Sequence, residues 1–208
     1  MPPNVRMDGS TAGIGLFEGV DDPPNRRTPG RHAMRILVAY VSKHGATAGI
    51  AERIGRSLES AGHQVDVRRV QDVDDGSEYD AFVIGSATYM GHWRKEATEF
   101  VRRLPEAAAG RPSWLFSSGP IGTSSTDAQG RDVRSAAEPK ELPELLAALA
   151  PREHRVFFGA LDPKELSLAE RAMRKLPAAR EALPEGDFRD WDDIDSWART
   201  IAGELAGV

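Results

Sequence analysis

Two adjoining stretches decide the fold: ILVAYV at residues 36–41 and SKHGAT at residues 42–47. The first is a continuous apolar run of strand length, which is typical of a parallel strand buried on both faces. The second is rich in small and hydroxyl-bearing residues. Residues 47–61 then carry apolar side chains at helical spacing and end before Gly62, a common helix stop. Strand, tight loop and helix in this order predict the start of a parallel α/β sheet.

The rest of the chain continues the alternation of strand and helix. Further strands are predicted at residues 64–70, 80–86, 113–118 and 155–160. Helices are predicted at residues 96–109, 140–150, 164–183 and 190–206. The connection at residues 71–79 is too short for a full helix, so we expect only a turn or two there. Five strands joined in this way predict a doubly wound sheet with helices on both faces.

Composition limits the possible chemistry. The chain has 208 residues, 40% of them hydrophobic and 28% charged, which fits one globular domain. It contains no cysteine, which excludes disulfides, thiolate metal sites, iron–sulfur clusters and a cysteine nucleophile. The five histidines show no paired metal spacing, so we expect no metal site. A redox function would therefore need a bound organic cofactor.

The N-terminal segment differs from the rest of the chain. Residues 1–33 are rich in Pro and Gly and lack helical or strand periodicity, which predicts a disordered leader before a domain at residues 34–208. Met34, just before the first strand, is interpreted as the natural start of translation.

The sequence has no secretion signal and no membrane-spanning run, which favours a cytoplasmic protein. The net charge of −5, without a basic patch, argues against nucleic-acid binding.

The first strand and loop carry a family resemblance. Seven residues match the positions of the flavodoxin phosphate-loop signature: Val38, Tyr40, Ser42, Gly45, Thr47, Ala51 and Ile54. The chain thus resembles the flavodoxin-fold FMN proteins, which implies a three-layer sandwich with strand order 2-1-3-4-5. The alternative is that residues 42–47 form an ordinary strand-to-helix turn with no ligand.

Later segments resemble one branch of that family. Residues 79–80, 91–92, 99–101, 158–161 and 186–191 look like those of the menaquinone-dependent protoporphyrinogen dehydrogenase group. The resemblance implies a bound FMN that takes hydride equivalents from a reduced tetrapyrrole and passes them to a quinone. The loop at residues 119–137 departs from the group by being mostly small and polar, which leaves the substrate open.

Three loops at the carboxyl ends of the strands are the expected cofactor site. Backbone amides, hydroxyls and a helix N-terminus in the first loop suit a phosphomonoester. Its predicted ligands are Ser42, Lys43, His44, Gly45, Ala46 and Thr47. The second loop offers an aromatic and a methionine side chain to a flat ring, with Tyr89 as the main ring contact. Its predicted site residues are Ala87, Thr88, Tyr89, Met90 and Gly91, with Trp93 behind them.

The third loop and one histidine complete the predicted site. Ser117, Ser118 and Gly119 are expected to bond the pyrimidine edge of a flavin. His92 is a candidate general base beside the ring, and a structural histidine is an equal alternative.

The sequence leaves three functions open. The first is an FMN-dependent oxidoreductase acting on a small molecule such as a tetrapyrrole or quinone. The second is a one-electron carrier that docks to redox proteins, and the third is a flavin-free binding module. Residues 164–183 combine an apolar stripe with basic residues, so they are either core or a peripheral membrane contact.

Overall fold

A central parallel sheet organises the chain. The computed structural model describes residues 33–127, 129–176 and 184–207. The sheet strands are β1 (Arg35–Val41), β2 (Gln64–Arg69), β3 (Ala81–Tyr89), β5 (Ser113–Ser118) and β6 (Glu153–Phe157). They pair in the order β2-β1-β3-β5-β6, all parallel, which confirms the predicted order 2-1-3-4-5. Short antiparallel additions are β4 (His92–Trp93), which pairs with β3, and β7 (Ala160–Leu161), which pairs with β8 (Gly186–Asp187).

Helices connect these strands. They are α1 (Ala46–Ser60), α2 (Lys95–Arg103), α3 (Pro105–Ala108), α4 (Val133–Ala136), α5 (Leu142–Leu149), α6 (Leu168–Met173) and α7 (Trp191–Leu205). Short 3-10 turns occupy Val70–Asp72 and Pro163–Glu165. No helix in the described ranges is long and apolar enough to cross a membrane.

Both faces of the sheet are covered by helices. Successive strand residues point to opposite faces, so each strand contributes apolar side chains to both layers. Ile36 and Val38 face the layer formed by α1 and α7, where Trp114 and Trp197 are fully buried. Leu37 and the next alternate residues of β1 face the opposite layer, which α2 and α5 cover. The apolar run at residues 36–41 is thereby explained as a strand with no solvent-facing side.

Gly85 allows the centre of the sheet to pack closely. It lies opposite Phe116 on the neighbouring strand, and a Cβ at this position would be 2.0 Å from the Phe116 ring. Only glycine leaves room for that ring between β3 and the helices above it.

Several predicted boundaries are wrong. The third strand runs on to Tyr89, so the predicted second loop is a β-hairpin whose turn is Met90 and Gly91, both with positive φ. The predicted helix at residues 96–109 is broken before Pro105, whose backbone nitrogen carries no hydrogen to donate to the preceding turn. The fifth strand ends at Phe157.

The predicted helix at residues 164–183 is also interrupted. A 3-10 turn precedes Ser167, which caps α6 by accepting from the backbone amide of Glu170. Residues 177–183 lie outside the described residues, as do residues 1–32 of the predicted leader.

Candidate functional site

A cavity of about 480 Å³ lies at the carboxyl ends of β1, β3 and β5. Eleven of the fourteen predicted cofactor residues line it: Ser42, Lys43, His44, Ala46, Thr47, Ala87, Thr88, Tyr89, Met90, Ser118 and Gly119. Its size lies within the range of small-molecule sites. The parallel sheet explains this convergence, since it brings the ends of these three strands to one edge.

The first loop presents unpaired polar groups to the cavity. Gly45 adopts φ 81°, a left-handed conformation that favours glycine, and α1 begins directly after it without a side-chain cap from any described residue. The first amides of a helix have no intrahelical acceptor, so those of α1 are available to a ligand. Ser42 Oγ is buried and has no hydrogen-bond partner among the described residues. Together these donors suit an anionic oxygen.

The end of β3 adds a second unpaired hydroxyl. Thr88 Oγ1 is buried and also lacks a partner within the part of the chain that the structure describes. Tyr89 lines the cavity beside it, and burial together with the charge of Glu170 raises the pKa of its phenol to about 12. Met90, at the hairpin turn, is 96% exposed. The hairpin thus offers the Thr88 hydroxyl, the Tyr89 phenol and the Met90 thioether to a ligand.

A cluster of charged and aromatic side chains lies beside the first loop. The ammonium of Lys43 contacts the carboxylate of Glu170 and lies 5.3 Å from the centre of the Tyr89 ring. His44 Nε2 lies 3.3 Å from Glu170 Oε1, and His44 Nδ1 lies 3.0 Å from the carbonyl oxygen of Glu165. Hydrogen bonds from Lys43 and then from Ser167 lower the pKa of Glu170 to about 2. Glu170 is therefore ionised at neutral pH.

The contribution of α6 and its flanking residues to the cavity was not predicted from the sequence. Leu166, Glu170 and Arg174, spaced by four residues, all line the cavity. Arg174 Nε is buried without a hydrogen-bond partner in the described ranges, and its guanidinium is 3.7 Å from Glu185. The pattern Ser-x-x-Glu at residues 167–170 is a capping box, and it could have revealed the true start of the helix.

The chain segment after β6 was missed as well. Gly159, Ala160 and Leu161 line the cavity from the side of β7, and Ile121 lines it from the loop after β5. Nothing in their residue types distinguishes them as ligand contacts, so only the fold reveals them.

Three predicted cofactor residues do not line the cavity. Gly45 shapes the first loop through its backbone, and Gly91 forms the hairpin turn. Ser117 Oγ accepts a hydrogen bond from Trp93 Nε1 at 2.7 Å and lies 2.9 Å from His154 Nε2. Burial lowers the pKa of His154 to about 4, so this network is neutral at physiological pH. The hydroxyl of Ser117 is thus already engaged within the protein.

His92, the candidate general base, is outside the lining of the cavity as well. Its Nδ1 is 2.6 Å from Glu141 Oε1, and its Nε2 is 3.3 Å from the ammonium of Lys140. This arrangement favours the structural alternative for His92.

Comparisons with known proteins agree with this architecture. The family model described as "Flavodoxin domain" matches residues 37–182. A curated relative, protoporphyrinogen IX dehydrogenase [quinone] of Escherichia coli strain K12, is 24% identical over 176 residues, covering 81% of this chain and 95% of the relative.

Solved structures show the same fold. A flavodoxin from the domain Archaea has a TM-score of 0.52 and 19% identity, covering 83% of this chain and 99% of its own. A flavodoxin from Streptococcus pneumonia TIGR4 has a TM-score of 0.51 and 17% identity, with the same coverage of 83% and 99%.

Proposed function

The chain belongs to the flavodoxin domain family, and from this premise we propose that it binds FMN and uses it as an oxidoreductase. The observation that carries the proposal is the pair of buried, unpartnered hydroxyls, Ser42 Oγ and Thr88 Oγ1, in one cavity among the described residues. A buried hydroxyl without a partner costs free energy, and a bound ligand that bonds it removes that cost.

The lining residues suit the phosphate, the ring and the polar edge of the ring of FMN. The phosphate would be held by the first loop, where Ser42, Thr47 and the amides at the start of α1 supply donors. Tyr89 and Met90 would lie against the ring, and Ser118 with Gly119 would face its polar edge. When bound, FMN supplies reversible acceptance of a hydride.

The finer proposal is a two-electron reaction between a reduced tetrapyrrole and a quinone. A C–H bond of the tetrapyrrole would give up a hydride and the substrate a proton, and the quinone would take up two electrons and two protons. Support comes from the curated relative, protoporphyrinogen IX dehydrogenase [quinone], because the match covers 95% of its length.

The wall that α6 and its flanks add to the cavity favours an enzyme over an electron carrier. A carrier must bring its cofactor close to a partner protein, whereas here Leu166, Glu170 and Arg174 form a further wall of the cavity. Such a wall would enclose a small-molecule substrate beside the flavin, and it brings Arg174 to the lining of the cavity. The phenol of Tyr89, with its pKa near 12, would remain protonated and act as a neutral hydrogen-bond donor.

A peripheral membrane contact at the inner face of the membrane is part of the proposal, because a quinone acceptor resides in the bilayer. Leu168 and Leu176 are 84% and 63% exposed, and the neighbouring Arg171 and Lys175 are exposed as well. Apolar and basic side chains together suit an anionic lipid surface. Flotation with anionic vesicles should carry part of the protein upward, and full retention in the soluble fraction would remove this element.

Turnover under anaerobic conditions tests the function. Protein loaded with FMN is mixed with protoporphyrinogen IX and a water-soluble menaquinone analogue, and porphyrin fluorescence is followed. The proposal predicts catalytic porphyrin formation that depends on both protein and quinone. A flavin that is reduced photochemically in two one-electron steps, with no turnover, would instead indicate the electron carrier. Failure to take up flavin would indicate the binding module.

A further inference from the structure

Glu170 places a fixed negative charge beside the loop that is proposed to bind a phosphate. It approaches from α6, 127 positions along the chain from Lys43, and its Oε1 contacts both Lys43 and His44. Its Oε2 accepts from the backbone amide of Ser167 at 2.9 Å and from Ser167 Oγ at 2.7 Å. Both carboxylate oxygens are thus engaged, which fixes the side chain in the cavity wall.

The charge arrangement has a direct consequence for an incoming anion. An anion is attracted to the first loop by the ammonium of Lys43 and by the partial positive charge at the start of α1. The ammonium of Lys43 already forms an ion pair with Glu170. A phosphate in this loop would meet the carboxylate and would compete with it for the same ammonium. An uncharged ligand at the same place would meet neither effect.

We propose that Glu170 is a specificity-determining residue that limits the preference of the cavity for a phosphorylated flavin over an unphosphorylated one. The inference rests on the proposed FMN site and deepens it. Glu170 keeps the phosphate affinity moderate by holding Lys43, and it ties α6 to the first loop when the phosphate is absent. Because the phosphate and Glu170 compete for Lys43, phosphate binding weakens the ion pair between Glu170 and Lys43, and the ion pair weakens phosphate binding to the same extent.

The substitution Glu170→Gln tests the inference without removing the helix cap. Glutamine serves as well as glutamate at the third position of a capping box, so the start of α6 is retained. Glu165→Gln is the matched control, because it removes the same charge from an exposed side chain on the same segment, outside the lining of the cavity, and keeps the carbonyl that faces His44.

Binding of FMN and of riboflavin to the flavin-free full-length protein is measured by quenching of flavin fluorescence. A general loosening of the cavity would weaken the binding of both flavins alike, so it would leave the ratio of the two dissociation constants unchanged. In Glu170→Gln, the preference for FMN over riboflavin should rise about two- to fivefold, the size expected for one partly exposed ion pair. Glu165→Gln should keep the wild-type preference.

A second variant pair shows whether the effect passes through Lys43. In a Lys43→Gln background, Glu170→Gln should change the preference less than it does in the wild type, because the ammonium that Glu170 engages is gone. An unchanged or lowered preference in Glu170→Gln overturns the inference while leaving the proposed function intact. If the wild-type protein takes up neither flavin, the proposed function fails and the inference fails with it.

Discussion

The indole Nε1 of Trp93 donates a hydrogen bond to Ser117 Oγ at 2.7 Å, which ties the β3–β4 hairpin to the end of β5. His154 Nε2 lies 2.9 Å from the same oxygen. A serine hydroxyl has one hydrogen and two acceptor lone pairs, so it can accept from Trp93 and still donate its own hydrogen to an unprotonated Nε2. Because burial lowers the pKa of His154 to about 4, the network that holds the hairpin carrying Tyr89 contains a neutral imidazole at pH 7.

The first prediction concerns the pH dependence of this network. Burial lowers the pKa of folded His154 to about 4, against 6.5 for an exposed histidine. The unfolded chain therefore binds the proton first, so this contribution to stability is present above pH 6.5 and is lost progressively as the pH falls toward 4. Between pH 7.5 and pH 5, the wild type should lose about 1–2 kcal/mol more unfolding free energy than His154→Gln, as measured with urea. Parallel losses in the two proteins would contradict the assignment.

The second prediction concerns the tie between α6 and the first loop. The pKa of Glu170 is about 2 in the folded chain, against 4.5 ordinarily, so its stabilising effect is full above pH 4.5 and declines as the pH falls toward 2. At pH 6 the flavin-free wild type should be about 1 kcal/mol more stable than Glu170→Gln. The difference should shrink at pH 3, as chemical denaturation at each pH would detect. A difference that grows in acid would refute the ion-pair account.

The third prediction uses the unpartnered hydroxyls. Ser42→Ala should weaken FMN binding about five- to tenfold and leave the flavin-free protein at least as stable, because the lost hydroxyl had no partner to leave behind. Thr88→Val should behave in the same way.

Ser113→Ala is the control for these two variants. Ser113 Oγ is also buried without a partner in the described part of the chain, but it lies at the opposite end of β5 from the cavity. This variant should keep the FMN affinity of the wild type. Equal weakening in all three variants would mean that the hydroxyls act on stability and not on the ligand.

The fourth prediction tests the packing of the sheet. Gly85→Ala should destabilise the protein by at least about 2 kcal/mol, because the new methyl group would overlap the Phe116 ring. Gly203→Ala is the contrast: it lies within α7 with no described atom within 4 Å of the added Cβ, and it should stabilise by about 0.5–1 kcal/mol. Thermal unfolding followed by circular dichroism measures both, and a tolerated Gly85→Ala would dispute the close contact.

Local patterns predicted the sheet and the first loop because their causes are local. The apolar run at residues 36–41 fixes a strand buried on both faces, and the small residues after it fix a tight loop before α1. The sheet order followed from the family resemblance that these residues carry. The hairpin at Met90 was missed because a non-glycine residue with positive φ leaves little trace in composition.

The wall formed by α6 depends on long-range packing. Glu170 meets Lys43 only once the chain has completed the sheet, and no spacing in the sequence relates the two. Ser117 shows the converse: its position at a strand end predicted a ligand contact, but the neighbouring Trp93 and His154 take its hydroxyl. Which of several adjacent hydroxyls reaches a cavity is decided by strand pleat, since successive side chains point to opposite faces.

Flavin content measures the central claim most directly. The full-length protein is purified, stripped of small molecules and titrated with FMN, while visible absorbance and the mass of the released cofactor are recorded. The account predicts saturation at one FMN per chain, with weaker binding in Ser42→Ala. A protein that stays colourless and takes up no FMN would contradict it.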